Sequence, residues 1–130
     1  MLLERLHGEW ELAQVRGTSL AFVLFDLDQF KAYNDQRGHM AGEEFGVVMP
    51  GLNLEQAIEQ GERIRHAVEK ANLSHPATPQ GVVTISVGVA AMVPRAGFSA
   101  ELLIAAADAA LYRAKAGGKN RVEAAGSEHY

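Results

Sequence analysis

The sequence predicts an α/β fold, in which helices pack against a central sheet. Three apolar stretches, at residues 20–25, 45–49 and 81–90, have the length and the aliphatic, β-branched or aromatic content of strands. Between them lie segments whose apolar residues recur at helical spacing, as in amphipathic helices. The 130 residues suffice for one domain with a substantial core, but are few for two.

Composition and charge exclude several classes of site. The chain has no cysteine, which excludes disulfides, thiol catalysis and thiolate metal sites. Its net charge of −4 argues against broad nucleic-acid binding. No apolar run approaches the roughly 20 residues that cross a bilayer. The opening MLLERLHGEW has acids and no small-residue cleavage site, which argues against a secretory signal. We therefore expect a cytoplasmic domain that contacts neither nucleic acid nor membrane.

The first half of the chain reads as helix, strand, short helix and strand. Residues Leu2–Arg16 carry apolar side chains at helical spacing, and Gly17 is a suitable end for that helix. The apolar run 20–25 predicts a strand buried on both faces. A short helix is predicted from about Gln29 to Gln36, and the next strand, 45–49, closes at Pro50-Gly51.

The next helix has the clearest pattern in the chain. Asn53 is a good N-cap, and Gln56 three residues later completes a capping box. Its apolar face comprises Leu54, Ala57, Ile58, Gly61, Ile64, Ala67, Val68 and Ala71. The loop that follows contains two prolines and leads to the strand predicted at 81–90.

The last third of the chain predicts one long helix and a short strand. Ser99 is suited to cap a helix over 100–116, and Gly117-Gly118 would end it. Residues 120–122 are then predicted to return as a short edge strand. The final residues, GSEHY, have the composition of a frayed tail.

Two acidic pairs suggest a metal site. Asp26 and Asp28 directly follow the first strand and, two residues apart, should point to the same face. Glu43 and Glu44 precede the second strand. Carboxylates gathered at strand ends suit a hard cation such as Mg²⁺. Two simpler interpretations stay open: Asp28 caps the following helix, and the glutamates are solvated turn residues.

Four stretches, in order, resemble the GGDEF family of diguanylate cyclases. They are FDLDQFKAYNDQRGH, AGEEF, TISVGVA and DAALYRAKAGGKNRV, and together they cover most of the chain from Leu20 to Val122. The resemblance implies a mixed, mainly antiparallel central sheet flanked by helices, similar to a nucleotide cyclase or a polymerase palm. It also implies a single domain over 1–130, with an N-terminal helix at 1–18, a core at 19–123 and a tail at 124–130.

The resemblance also implies an activity. Family members condense two GTP molecules into cyclic di-GMP and release pyrophosphate, with Mg²⁺ or Mn²⁺ bound and the two substrates presented by the protomers of a homodimer. An upstream sensory or regulatory domain in a longer chain is a further expectation.

Site residues follow by position in the matched motifs. The metal ligands would be Asp26, Glu43 and the carbonyl of Leu27, and Glu43 and Glu44 would be the catalytic acids. The substrate-binding residues would be Phe30, Lys31, Asn34, Gly42, Lys115 and Lys119. The simpler interpretation of the two lysines is that they offset the dipole at the end of the last helix.

One departure from the family pattern keeps other functions open. Family members place a helix and a strand, roughly 25 residues, between the GH pair and the GGDEF turn, whereas here Met40 alone separates His39 from Ala41. The loss would leave the AGEEF strand without its hairpin partner. The alternative is a degenerate module that binds GTP or a protein partner without turnover, and a third hypothesis is a structural dimerisation domain.

Overall fold

A computed structural model describes residues 2–28, 44–74 and 81–125. These residues form three helices and four strands. In chain order they are α1 (Leu2–Arg16), β1 (Leu20–Leu27), β2 (Phe45–Pro50), α2 (Leu54–Lys70), β3 (Ile85–Met92), α3 (Ala100–Ala116) and β4 (Val122–Ala124). None of the helices in these ranges combines the length and the apolar character needed to cross a membrane.

The four strands form one mixed sheet in the order β2-β1-β3-β4. β1 pairs antiparallel with both β2 and β3, whereas β3 and β4 are parallel. The prediction of a mixed, mainly antiparallel sheet is therefore confirmed. β1 and β3 are central, and both are almost fully buried, as the continuous apolar runs in their sequences indicate.

Alternating residues of β1 face two separate hydrophobic clusters. Leu20, Phe22 and Leu24 point toward α1 and α3, while Ala21 and Val23 point toward α2. The first cluster also contains Leu6, Trp10, Ala13, Val48, Ala90, Ala100, Leu103, Ala107, Leu111 and Ala125. The second is completed by Ala57, Ile85, Val87, Val89 and Ala91. The sheet is thus covered by helices on both faces.

The helix ends are those that the sequence predicts. Asn53 and Gln56 form the reciprocal capping box at the start of α2. The Ser99 hydroxyl accepts a bond from the main-chain N–H of Leu102 at the start of α3. Gly17 ends α1 with a φ of +69°, a conformation that glycine adopts without steric cost.

Several predicted boundaries need correction. β3 runs over Ile85–Met92 and not over 81–90, because Gly81 has a φ of +76° and Val82 belongs to an isolated bridge with Ser74, outside the strand. β4 begins at Val122, after the residues predicted for it at 120 and 121, since a turn continues through them. The ordered core also extends past 123: β4 includes Ala124, and Ala125 is 3% exposed. The helix predicted from Gln29 to Gln36 lies outside the described residues.

β2 is an edge strand of this sheet, because within the described ranges it pairs only with β1. Phe45, its first residue, is half exposed and stacks on Phe25 of β1 with ring centroids 5.5 Å apart. The expected loss of a hairpin partner for the AGEEF strand stays a prediction, because residues 29–43, which directly precede β2, lie outside the described ranges.

Candidate functional site

Two of the predicted site residues are in direct contact. Asp26, near the end of β1, and Lys115, in the last turn of α3, form an ion pair of 2.6 Å between Lys115 Nζ and Asp26 Oδ2. Both side chains are partly buried, with 19% of Asp26 and 33% of Lys115 exposed. Residues 89 apart in sequence are thus joined because α3 packs along β3 and β1.

Glu44 lies within electrostatic reach of this pair. Its pKa is raised above the usual 4.5, first by partial burial and then by the carboxylates of Asp108 and Asp26; Lys115 lowers it. A raised pKa shows that the anionic form of Glu44 is disfavoured here. A cation bound among these carboxylates would reverse that balance.

Lys119 lies in the turn that follows α3. Its main-chain N–H donates to the carbonyl of Ala114 at 3.0 Å, and its φ is +66°. Lys119 is therefore outside the helix that carries Lys115. The glycines Gly117 and Gly118 make the turn, and Gly118 has a φ of +126°.

Asp28 is on the same side of the sheet as Asp26 but has different partners. It is 2% exposed and accepts bonds from the hydroxyls of Thr84 and Ser86 and from the main-chain N–H of Asn120. Its carboxylate is therefore satisfied by groups at the start of β3 and after α3. The predicted cap on the following helix lies outside the described residues.

The remaining predicted site residues divide into two groups. Leu27 is the last residue of β1, half-buried and opposite Ile85. Phe30, Lys31, Asn34, Gly42 and Glu43 lie outside the described ranges. In the part of the chain that the structure describes, no three His, Cys, Asp or Glu side chains cluster closely enough to hold a metal ion.

A groove of about 230 Å³ lies between α1, α3 and the sheet. Its walls are mostly apolar, and two carboxylates, Glu44 and Asp108, also contribute to them. The other lining residues are Leu2, Leu3, Leu6, Phe22, Leu24, Gly46 and Ile104. The groove therefore offers an apolar surface next to charged groups.

Sequence reasoning missed two participants in this region. Asp108 precedes Lys115 by seven residues, a spacing that puts both on one helical face, and this could have identified it. Asn120 joins Asp28 to the end of α2 through its main-chain and side-chain groups. No local pattern announces a contact of that kind, since its partners lie 51 to 92 residues away.

Comparison with protein families gives a match in two stretches. The family described as "Diguanylate cyclase, GGDEF domain" matches residues 1–43 and 40–121. The two stretches meet near Met40, where the sequence predicts that a family segment is missing. The alignment with one relative, "Probable diguanylate cyclase DgcC" of Escherichia coli, indicates the size of that segment. It is 32% identical and extends over 146 residues, but the 92% of this chain that it covers is only about 120 residues. About 26 positions of this relative therefore have no counterpart in the aligned part of the chain.

Individual relatives and solved structures agree. "Probable diguanylate cyclase DgcC" of Escherichia coli K12 aligns with 92% of this chain and 38% of its own length. "Diguanylate cyclase VdcA" of Vibrio cholerae is 30% identical over 132 residues, which cover 82% of this chain and 39% of VdcA. The chain thus spans about two-fifths of these relatives. The GGDEF domain of DgcB from Caulobacter crescentus, solved with c-di-GMP, superposes with a TM-score of 0.82 at 30% identity, covering 95% of this chain and 85% of that one.

Four observations lead to the same conclusion: the order of the motifs, the mixed sheet, the family match over most of the sequence and the similarity to a solved GGDEF domain. The chain belongs to the GGDEF domain family.

Proposed function

We propose that this chain is a diguanylate cyclase domain, which joins two GTP molecules into cyclic di-GMP. The observation that carries the proposal is the convergence of Asp26, Glu44 and Lys115 at one end of the sheet. A carboxylate paired with an ammonium at 2.6 Å, with the carboxylates of Glu44 and Asp108 in electrostatic reach, is suited to hold a nucleoside triphosphate with its counterions.

The reaction requires two phosphoryl transfers. In each, the 3′-hydroxyl of one GTP attacks the α-phosphate of the other, so that an O–P bond forms and the bond to the leaving pyrophosphate breaks. Two such steps close the ring and release two pyrophosphates. Since each GTP is both nucleophile and electrophile, two sites facing each other across a homodimer would present the pair symmetrically.

The lysines would bind the phosphates. Lys115 contacts Asp26 at 2.6 Å and would exchange part of that contact for the triphosphate, on which an ammonium acts as a point charge. Lys119 would supply a second cation from the turn after α3. Together they would bind the triphosphate of the substrate through its negative charge.

A divalent cation, Mg²⁺ or Mn²⁺, would bind at this end of the sheet, since carboxylate and carbonyl oxygens are the ligands it prefers. Asp26 and Glu43 would hold it with the carbonyl of Leu27. The pKa of Glu44 is raised first by burial and then by the carboxylates of Asp108 and Asp26, and a bound cation would lower it. When bound, such an ion polarises phosphate oxygens and lowers the pKa of an attacking hydroxyl. Glu44 would position that hydroxyl.

The other substrate contacts are proposed from the motif. Phe30, Lys31, Asn34 and Gly42 would complete the GTP site, with Asn34 reading the guanine edge through its donor and acceptor. Main-chain N–H groups at Phe30 and Lys31 would bind phosphate oxygens if a helix begins there.

The test is product formation from GTP and Mg²⁺ by the purified chain, with Glu43→Ala as the matched variant. We expect cyclic di-GMP from the wild type and none from Glu43→Ala, with GTP binding measured in parallel by calorimetry. Full activity in the variant would contradict the assignment of Glu43. GTP binding without any product would contradict the cyclase proposal.

A second candidate is a GGDEF module that binds GTP or a protein partner without turnover. The observation that favours it is the absence of about 26 positions of DgcC from the aligned part of the chain, near Met40. Loss of that segment removes part of the scaffold next to the proposed nucleotide site. If the chain binds GTP but forms no cyclic di-GMP, this second function is supported. If the chain neither binds GTP nor forms cyclic di-GMP, a dimerisation role is favoured.

A further inference from the structure

The carboxylate of Asp28 receives three donors in a buried position. Oδ1 accepts from the Ser86 hydroxyl, and Oδ2 accepts from the Thr84 hydroxyl at 2.7 Å and from the main-chain N–H of Asn120 at 2.9 Å. Burying a carboxylate is costly unless hydrogen bonds replace its water. The two hydroxyls and the main-chain N–H of Asn120 supply those hydrogen bonds.

The bond from Asn120 reaches a turn that needs support. Lys119 and Asn120 have φ values of +66° and +48°, in the left-handed region that residues other than glycine rarely adopt. Such residues persist where surrounding contacts hold them. The Asn120 N–H bond to Asp28 is one of these contacts, and the bond from Lys119 N–H to Ala114 is another.

The same turn is also held from α2. The Asn120 side chain donates to Glu69 at 2.8 Å and accepts from Arg65 at 2.9 Å. Arg65 in turn pairs with Glu62 and Glu69 on α2, and only 16% of its side chain is exposed. The turn that carries Lys119 is thus fixed between the end of β1 and one side of α2.

We propose that Asp28 is a positioning residue for polyphosphate binding, and that it acts through Lys119. The proposal rests on the proposed function, in which Lys119 binds the GTP triphosphate. Asp26 and Asp28 leave the same strand end: the first contacts Lys115 directly, and the second fixes the main chain next to Lys119. One strand end therefore sets the relative location of both cations.

The kinetic test compares Asp28→Asn, Lys119→Ala and the double variant. Asp28→Asn keeps the side-chain volume but removes the charge and one acceptor. We expect the KM for GTP to rise about tenfold, with kcat changed less than about twofold, as for loss of ground-state binding. Lys119→Ala should have a similar effect, and the double variant should be no worse than either single one.

Ser86→Ala is the matched control, because it removes a donor from the other oxygen of Asp28 and leaves the Asn120 bond in place. Its KM should change less than about twofold. Independent effects of Asp28→Asn and Lys119→Ala, multiplying in the double variant, would overturn the proposal. An unchanged KM in Asp28→Asn would do the same.

A second measurement does not depend on catalysis. Amide hydrogen exchange of the wild type, read by NMR, should show the Asn120 N–H as protected as the β3 amides, and Asp28→Asn should lose that protection while β3 keeps it. Free exchange at Asn120 in the wild type would overturn the proposal even if the variant failed to fold. If the wild type binds GTP without turnover, the cyclase proposal fails, and the dissociation constant for GTP replaces KM in the same comparison.

Discussion

The ion pair between Asp26 and Lys115 gives this molecule a charged centre between the end of a strand and the end of a helix. A lysine in the last turn of a helix already interacts favourably with the helix dipole. Lys115 differs from an ordinary helix-end lysine because its ammonium is also 2.6 Å from a partly buried carboxylate. Its position therefore has a tertiary cause and not only a local one.

We predict that Lys115→Ala raises the KM for GTP about tenfold, because a charge-assisted contact to phosphate is lost. Arg113→Ala is the matched control. Arg113 is in the same last turn of α3, but donates to the carbonyl of Ala124. Steady-state kinetics and unfolding of both variants distinguish the two roles of Lys115. An unchanged KM in Lys115→Ala, with an equal loss of stability in the two variants, would show that Lys115 only offsets the helix dipole.

At this scale the sequence identifies the residues but not all of their partners. Asp26 and Lys115 could be named in advance because their motifs are local, and the structure brings them together. The partners of Asp28 could not be named in advance, because the hydroxyls of Thr84 and Ser86 reach its carboxylate only when β3 pairs with β1. The alternative that Asp28 caps the following helix concerns residues outside the described ranges.

The contact between β3 and α3 depends on one glycine. A Cβ added to Gly88 would lie 2.3 Å from the carbonyl oxygen of Ala107 and from the main-chain nitrogen of Leu111. Main-chain atoms of a helix cannot move aside without shifting the whole helix. The close approach of α3, which carries Lys115, is therefore possible only without a side chain here.

We predict that Gly88→Ala lowers the free energy of unfolding by about 3 kcal/mol. Gly8→Ala provides a matched control, because Gly8 is inside α1 and a Cβ there would meet nothing within 4 Å. That control should stabilise the protein by about 0.5–1 kcal/mol. Urea unfolding of both variants measures the difference, and equal stabilities would show that α3 does not pack as closely as described.

A pH-dependent contact joins α1 to α3. His7 Nε2 lies 2.7 Å from Glu101 Oε2, and this hydrogen bond is the main reason that the pKa of Glu101 is below its usual 4.5. A lowered pKa in the folded state means that the contact stabilises the fold above pH 4.5 and that this contribution is lost as the pH falls through the folded value.

Glu101→Gln should therefore destabilise the protein near neutral pH and lose this effect as the pH falls through the lowered pKa of Glu101. His7→Ala should reproduce the same dependence, because it removes the other partner. Thermal or urea unfolding at several pH values tests both. A stability difference between wild type and Glu101→Gln that stays constant from acid to neutral pH would contradict the assignment.

Among the elements, helices were more predictable than strands. α1 and α3 have the predicted bounds, because Gly17 and Ser99 are local signals that do not depend on the rest of the fold. The strands β3 and β4 begin and end two to four residues later in the sequence than predicted. Strand ends are set by pairing partners, and apolar residues continue beyond the paired region, so composition alone does not mark them.

At the scale of the whole molecule, β2 is an edge of the sheet among the residues that the structure describes. Phe45 and Phe25 stack there, and Phe45 is 50% exposed. Exposed edges and apolar surface favour pairing between chains. The family and fold could be inferred from four short motifs, yet whether a shortened member retains turnover depends on how its remaining residues assemble in pairs.

Initial rates of cyclic di-GMP formation at two or more protein concentrations test the central claim most directly. With GTP and Mg²⁺ in excess, we predict that the wild type forms cyclic di-GMP and that the rate per chain rises with protein concentration, since two protomers must meet to bring two GTP molecules together. Asp26→Ala should form none. Absence of cyclic di-GMP from a folded wild-type chain that binds GTP would contradict the account.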